Sequence, residues 1–173
     1  MTKSTNGHAS SRVDPHAVSG GTAARIRALR INSFAAVVML VTEYGLGIWV
    51  NIYAHLPAAD QGKGTFAAFA SAVANGPVVL ALHAVLGTLI LVSGISMLVR
   101  AAGVGRPALI VIGAVGLLAI IAAWVSGTRF VGHGGNSASF SMAIATAVAI
   151  AGYVIVLFIS GPGNGAPTAA GEK

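Results

Sequence analysis

Four apolar runs decide what this chain can fold into: Ile31 to Tyr53, Val78 to Val99, Ala108 to Thr128 and Ser137 to Ser160. A helix needs about 20 residues, each rising about 1.5 Å, to cross about 30 Å of hydrocarbon, and every run is that long. The composition points the same way. Hydrophobic residues make up 55% of the chain, charged residues 8%, and the mean hydropathy is +0.84, whereas a soluble domain carries about a quarter of its residues as Asp, Glu, Lys and Arg. The expectation is an all-α membrane protein built on four spans, 31–53, 78–99, 108–128 and 137–160.

The chain has 10 basic and 4 acidic residues, a net charge of +6 and a pI near 10.6. Such a balance can mark a nucleic-acid partner, but here the basic residues flank the apolar runs. Membrane topology and lipid headgroups account for that placement, so no nucleic acid is expected and the bilayer is the partner. With the N terminus inside, Lys3, Arg12, Arg25, Arg27, Arg30, Arg100, Arg106 and Lys173 are cytoplasmic, and only Lys63 and Arg129 face out. This bias sets both termini inside, in the cytoplasmic membrane of a bacterium. The first run is too long for a signal-peptide core, contains Glu43 and Asn51, and lacks a small-x-small cleavage site, so it is expected to be retained.

Residues 1–24 are rich in Ser, Thr, Gly, Asn and His without apolar period and read as a disordered tail, in which His8 and His16 are solvated. Residues 25–160 form the transmembrane domain. Gly161, Pro162, Gly163, Asn164 and Gly165 stop the last helix, and 161–173 is a second, flexible tail. The connectors Arg100 to Pro107 and Arg129 to Asn136 are short, which favours an antiparallel up-down bundle. The connector from Ala54 to Pro77 is longer. In it Phe66, Phe69, Ala70 and Val73 recur at helical spacing, the pattern of a short outer helix lying at the interface or, alternatively, closing a pocket between the spans. Asn75, Gly76 and Pro77 end it. Asn136 or Ser137 is the expected cap of the fourth span.

Glu43 lies about 15 Å from either end of the first span by helix rise, and a carboxyl at that depth needs a partner. Thr42, Tyr44, Thr88 and His83 are the candidates, and a proton-accepting role competes with one in pinning helix packing. Glu43, Gly47, Asn51 and His55 recur every four residues and form a stripe that must face the bundle. On the second span His83, Gly87, Ile90 and Gly94 share one face, and the missing side chain at Gly87 lets a flat ligand or another helix approach. Gly113, Gly116, Ala123 and Gly127 on the third span, and Ser137, Ser141, Ala145 and Ala149 on the fourth, read as small-residue packing seams.

His55, His83 and His133 all fall toward the outer end, together with Arg129, Trp49 and Trp124. With Cys 0, the ligands on offer are imidazole, carboxylate and Met, and neutral imidazole is the usual protein ligand of haem b iron. The expectation is therefore a haem b or comparable redox cofactor near the outer face, for electron transfer or sensing. His83 is its principal ligand, His55 or His133 the second, Arg129 the propionate contact, and Gly87 the clearance beneath it. The layout is similar to that of small four-helix membrane cytochromes and redox-chain accessory subunits. Two alternatives stand beside it. One is a non-enzymatic accessory subunit bound to partner helices or to further copies of itself; the other is a small proton-linked transporter using Glu43 and His83. No soluble catalytic motif is present, and whether the chain is an enzyme is left open.

Overall fold

The computed structural model describes residues 15–53, 62–133 and 135–161, the first six of them as backbone only. Five helices follow in order: α1 (Pro15–Tyr53), α2 (Thr65–Asn75), α3 (Val78–Val104), α4 (Pro107–His133) and α5 (Asn136–Ile159). No strand occurs among the described residues. By length and apolarity α1, α3, α4 and α5 can each cross a membrane.

The helices extend beyond the apolar runs that predict them. α1 begins at Pro15, within the stretch expected to be a tail, with proline at a first position where its missing N–H is harmless. α3 continues to Val104 and stops at Gly105, whose φ of 75° lets its N–H turn back to the carbonyls of Ala101 and Ala102. α4 carries on through Arg129 to His133, which converts part of an expected connector into helix. At the start of α5 the cap position is Gly135, with φ 100° and no side-chain cap. Neither Asn136 nor Ser137 takes the capping position expected of it, because both already lie within or beyond the first helical residue.

α1 packs against α3 and α5, and α4 packs against the same two, closing a ring of four. The contacts have a consistent register. Between α1 and α3, Arg25 Nη1 donates to the Gly103 carbonyl, Ser33 Oγ meets Met97 Sδ, and Glu43 meets His83. Between α3 and α4, Trp124 meets Thr88 and Gly113 meets Leu98. Gly116 meets Tyr153, and Gly127 meets Met142, between α4 and α5. Asn51 meets Ser139, and Gly47 meets Met142, between α1 and α5. In each set one residue number falls as the other rises.

At one end of the ring Leu29, Ala36, Leu40, Ile90, Met97, Leu109, Ile120, Ala149, Tyr153 and Val156 form a single core. Tyr153 is fully buried. Its ring fits where two helices lack side chains: a Cβ on Gly116 would stand 2.8 Å from Cε1, and one on Gly94 3.1 Å from the hydroxyl. Larger apolar side chains point away from the ring, Phe34, Val99, Leu118 and Phe158 among them. Large apolar side chains turned outward over the whole length of the helices are a distribution that lipid, not water, stabilises.

At the other end α2 lies across α3 and α4. Ala68, Ala72, Val50, Leu80 and Val131 pack together there. The face of α2 packed on the other helices is Ala68, Ser71 and Ala72, while Phe66, Ala70 and Val73 of the helical pattern are exposed and Phe69 is half-buried. Small side chains win the contact because they admit close approach: the Gly62 N–H donates to the Gly132 carbonyl at 2.7 Å, and Lys63 Nζ donates to Ser71 Oγ at 3.0 Å. The two phenylalanines sit at the edge of the contact, their ring centroids 6.2 Å (Phe66) and 5.5 Å (Phe69) from that of Trp124.

Candidate functional site

Beneath α2, the four long helices enclose a cavity of about 460 Å³, within the usual range for a small-molecule site. Glu43, Gly47 and Asn51 of α1 line it, as do His83, Gly87 and Ile90 of α3. The four-residue period of the first set and the helical spacing of the second each put one face of a helix onto the cavity.

Glu43 Oε1 and His83 Nδ1 are 3.0 Å apart, with both side chains largely buried. The contact has the length of a hydrogen bond without its full alignment, and Oε2 has no partner among the described residues. Of the other candidates, Thr42 and Thr88 instead bond the carbonyls of Val38 and Ala84, and Tyr44 is exposed. Each member of the pair occupies the space over a glycine of the opposite helix. A Cβ on Gly87 would stand 2.9 Å from Glu43 Oε1, and one on Gly47 3.3 Å from His83 Cε1 and 3.9 Å from Nε2. The pair is thus held by reciprocal fit. With Nδ1 turned to the carboxyl, Nε2 is the nitrogen left for another partner, and a carboxyl behind a histidine fixes ring orientation and tautomer.

The remaining sequence candidates are distributed unevenly. His55 lies outside the described residues. Arg129 and His133 are exposed on α4 and take no part in the cavity wall. Their depth along the bundle matches the site, but their angle does not: Trp124, Gly127, Thr128 and Val131 hold the cavity face of α4, and Arg129 is turned about 100° from Thr128. Among the described residues no group of three or more His, Asp or Glu is placed to hold a metal ion.

The cavity also has walls that the sequence reading passed over. Ser139, Met142, Ala143 and Thr146 of α5 line it, a spacing of i, i+3, i+4 and i+7 that marks a face more clearly than Ser137 and Ser141, which are exposed. Trp124 is part of the wall and its indole N–H donates to Thr88 Oγ1 at 3.4 Å. Trp49 is exposed, with its ring tilted against that of Tyr53 at a centroid distance of 4.9 Å.

No family model, curated protein or solved structure matches this chain.

Proposed function

We propose that this protein is an antiparallel up-down four-helix bundle of a bacterial cytoplasmic membrane, with both termini inside and α2 on the outer side. In its outer half it binds a redox cofactor, haem b or one of comparable flat shape, for electron transfer or sensing. The falling register of all four helix pairs supports the up-down arrangement, and the eight-to-two bias of basic residues supports the orientation.

The observation that carries the proposal is the Glu43 and His83 pair in the wall of a largely apolar cavity. An imidazole with a carboxyl 3.0 Å from its Nδ1 has Nε2 left for ligation, and a carboxyl on that side favours this orientation of the ring. Glu43 is then a positioning residue, and Gly47 and Gly87 make the room that keeps the pair in place. His55, next in the sequence stripe after Asn51, would be the candidate for a second ligand. Arg129 and His133 are set aside from the first contact shell because they stand outside the cavity wall.

A visible spectrum of the detergent-purified protein, air-oxidised and dithionite-reduced, tests this directly. A Soret band present in the parent and lost in His83→Ala is the expected result. A preparation that is colourless, and stays so after haemin is supplied, overturns it.

A further inference from the structure

We infer that the cavity is filled sideways from the bilayer, through a mouth between α1 and α5, by a membrane-dissolved planar molecule with a polar ring edge and an apolar body. This rests on the cavity being a ligand site, as proposed above, and adds the route and the chemical class of its occupant.

The α2 end is well closed among the described residues. Ala68 and Ala72 pack on Val50, Leu80 and Val131, while the Gly62 to Gly132 backbone bond ties the start of the segment to the last turn of α4. Phe69 of α2 and Trp124 of α4 close over the cavity from the same side. The seam between α1 and α5 is different. Low in the bundle, Leu40 of α1 joins Ala149 and Tyr153 of α5 in the core. Higher up, Tyr44, Ile48 and Ile52 of α1 and Phe140 of α5 line the cavity and are at the same time exposed on the outer surface of the bundle. Side chains that belong both to a cavity wall and to the exposed surface mark its mouth. Asn51 and Asn136 share both properties toward the α2 end, but the rest of the rim is apolar or aromatic and lies on helices long enough to span, so this part of the mouth faces hydrocarbon.

Across this mouth Ser139 Oγ donates to Asn51 Oδ1 at 3.1 Å, a contact exposed at the surface. Two polar groups joined where lipid chains pass satisfy each other when the mouth is closed, and offer a donor and an acceptor to a polar ring edge moving inward. Farther in, the aromatic side chains of Phe69, Trp124 and Phe130 suit the face of a flat ring, and His83 meets its edge. An unbranched acyl chain would offer nothing to Glu43 Oε2, which has no partner among the described residues.

The chain has no cysteine and 2 tryptophans, which makes the test clean. In a Trp49→Phe background Trp124 is the only tryptophan left, and it stands in the cavity wall. Asn51→Cys with Ser139→Cys then allows the mouth to be bridged by oxidation or by a short bis-thiosulfonate. The protein is reconstituted in vesicles, freed of reductant, and titrated with a decyl benzoquinone whose remaining ring positions are all substituted so that it does not add to thiols, a planar membrane-soluble quencher of tryptophan.

Saturable quenching in the reduced protein, slowed at least tenfold by the bridge and restored by reductant, is the expected result. Each single-cysteine variant carried through the same oxidation should quench normally. Quenching that is unaffected by a complete bridge overturns the lateral route while leaving the cavity as a ligand site. Equal quenching by a sulfonated, tail-less benzoquinone added to the water overturns the chemical class. Absence of saturable quenching in the reduced form overturns the inference altogether. A haemin titration of that same sample then separates the two proposals, since a Soret shift there preserves the proposed function and its absence removes both.

Discussion

A methyl group placed on Gly87 would stand 2.9 Å from Oε1 of Glu43. The carboxyl occupies the space that glycine leaves, and it is the far end of a flexible side chain, so it can move when that space is filled. Gly87→Ala should therefore fold with a stability within about 1 kcal/mol of the parent, since the gain in helix propensity offsets the crowding. What it changes is the Glu43 contact with His83. Detergent unfolding should be nearly unaltered, while the ¹⁵N shifts of the His83 imidazole move. Unaltered ¹⁵N shifts would show that the carboxyl is not held by this gap.

Gly116 presents the opposite case. Its missing side chain makes way for the ring of Tyr153, which is fully buried and has no free direction in which to move. Gly116→Ala should destabilise the bundle by about 1–3 kcal/mol, the usual range for overpacking a core. Thermal or denaturant unfolding in detergent measures it, and a cost smaller than that of Gly87→Ala would contradict the packing described.

Removing one member of the Glu43 and His83 pair leaves the other buried without its partner. Glu43→Ala and His83→Ala should each destabilise by about 1–3 kcal/mol. The double variant should fall short of the sum by at least about 0.5 kcal/mol, the coupling expected of groups in contact. Strict additivity in this cycle would mean that the 3.0 Å approach contributes nothing to the fold.

Phe66 and Phe69 both approach Trp124 from α2, but only Phe69 lines the cavity; Phe66 is 80% exposed. With Trp49 replaced by Phe, Phe69→Ala should shift the emission of Trp124 to the red and increase its quenching by iodide. Phe66→Ala should do much less. Equal responses would place α2 differently over the cavity.

The proposed orientation is open to labelling, because Gly64 and Gly103 are both exposed and lie toward opposite ends of the bundle. Cysteine at Gly64 should react with a membrane-impermeant maleimide in intact cells, and cysteine at Gly103 only after permeabilisation. The reverse pattern would put α2 and the cavity on the cytoplasmic side.

The spans were legible because hydrocarbon thickness imposes a length that apolar runs either meet or miss. Their ends were less so. Arg129 looks like a flanking charge, yet Phe130 and Val131 beyond it have a second reason to stay helical, the packing beneath α2, and α2 is a contact that no local pattern announces. Glu43 and His83 could each be singled out from the difficulty of placing such groups in lipid. That they meet could not, since spacing fixes the angle of a residue on its own helix and not the rotation of one helix against another. The same ignorance explains His133 and Arg129: depth was readable, angle was not. For α5 the signal was present, since Ser139, Met142, Ala143 and Thr146 have the period of a face, but their polarity is too mild to stand out among 24 apolar-rich residues.

The floor of the cavity has a further meaning. Ile90 and Ile120 form its base, and directly below them the Tyr153 ring fills the waist of the bundle between Gly94 and Gly116. The molecule is therefore built as a cup, not as a pipe. On the topology and lateral route proposed above, whatever enters leaves on the same half of the bilayer, because the Tyr153 ring fills the waist.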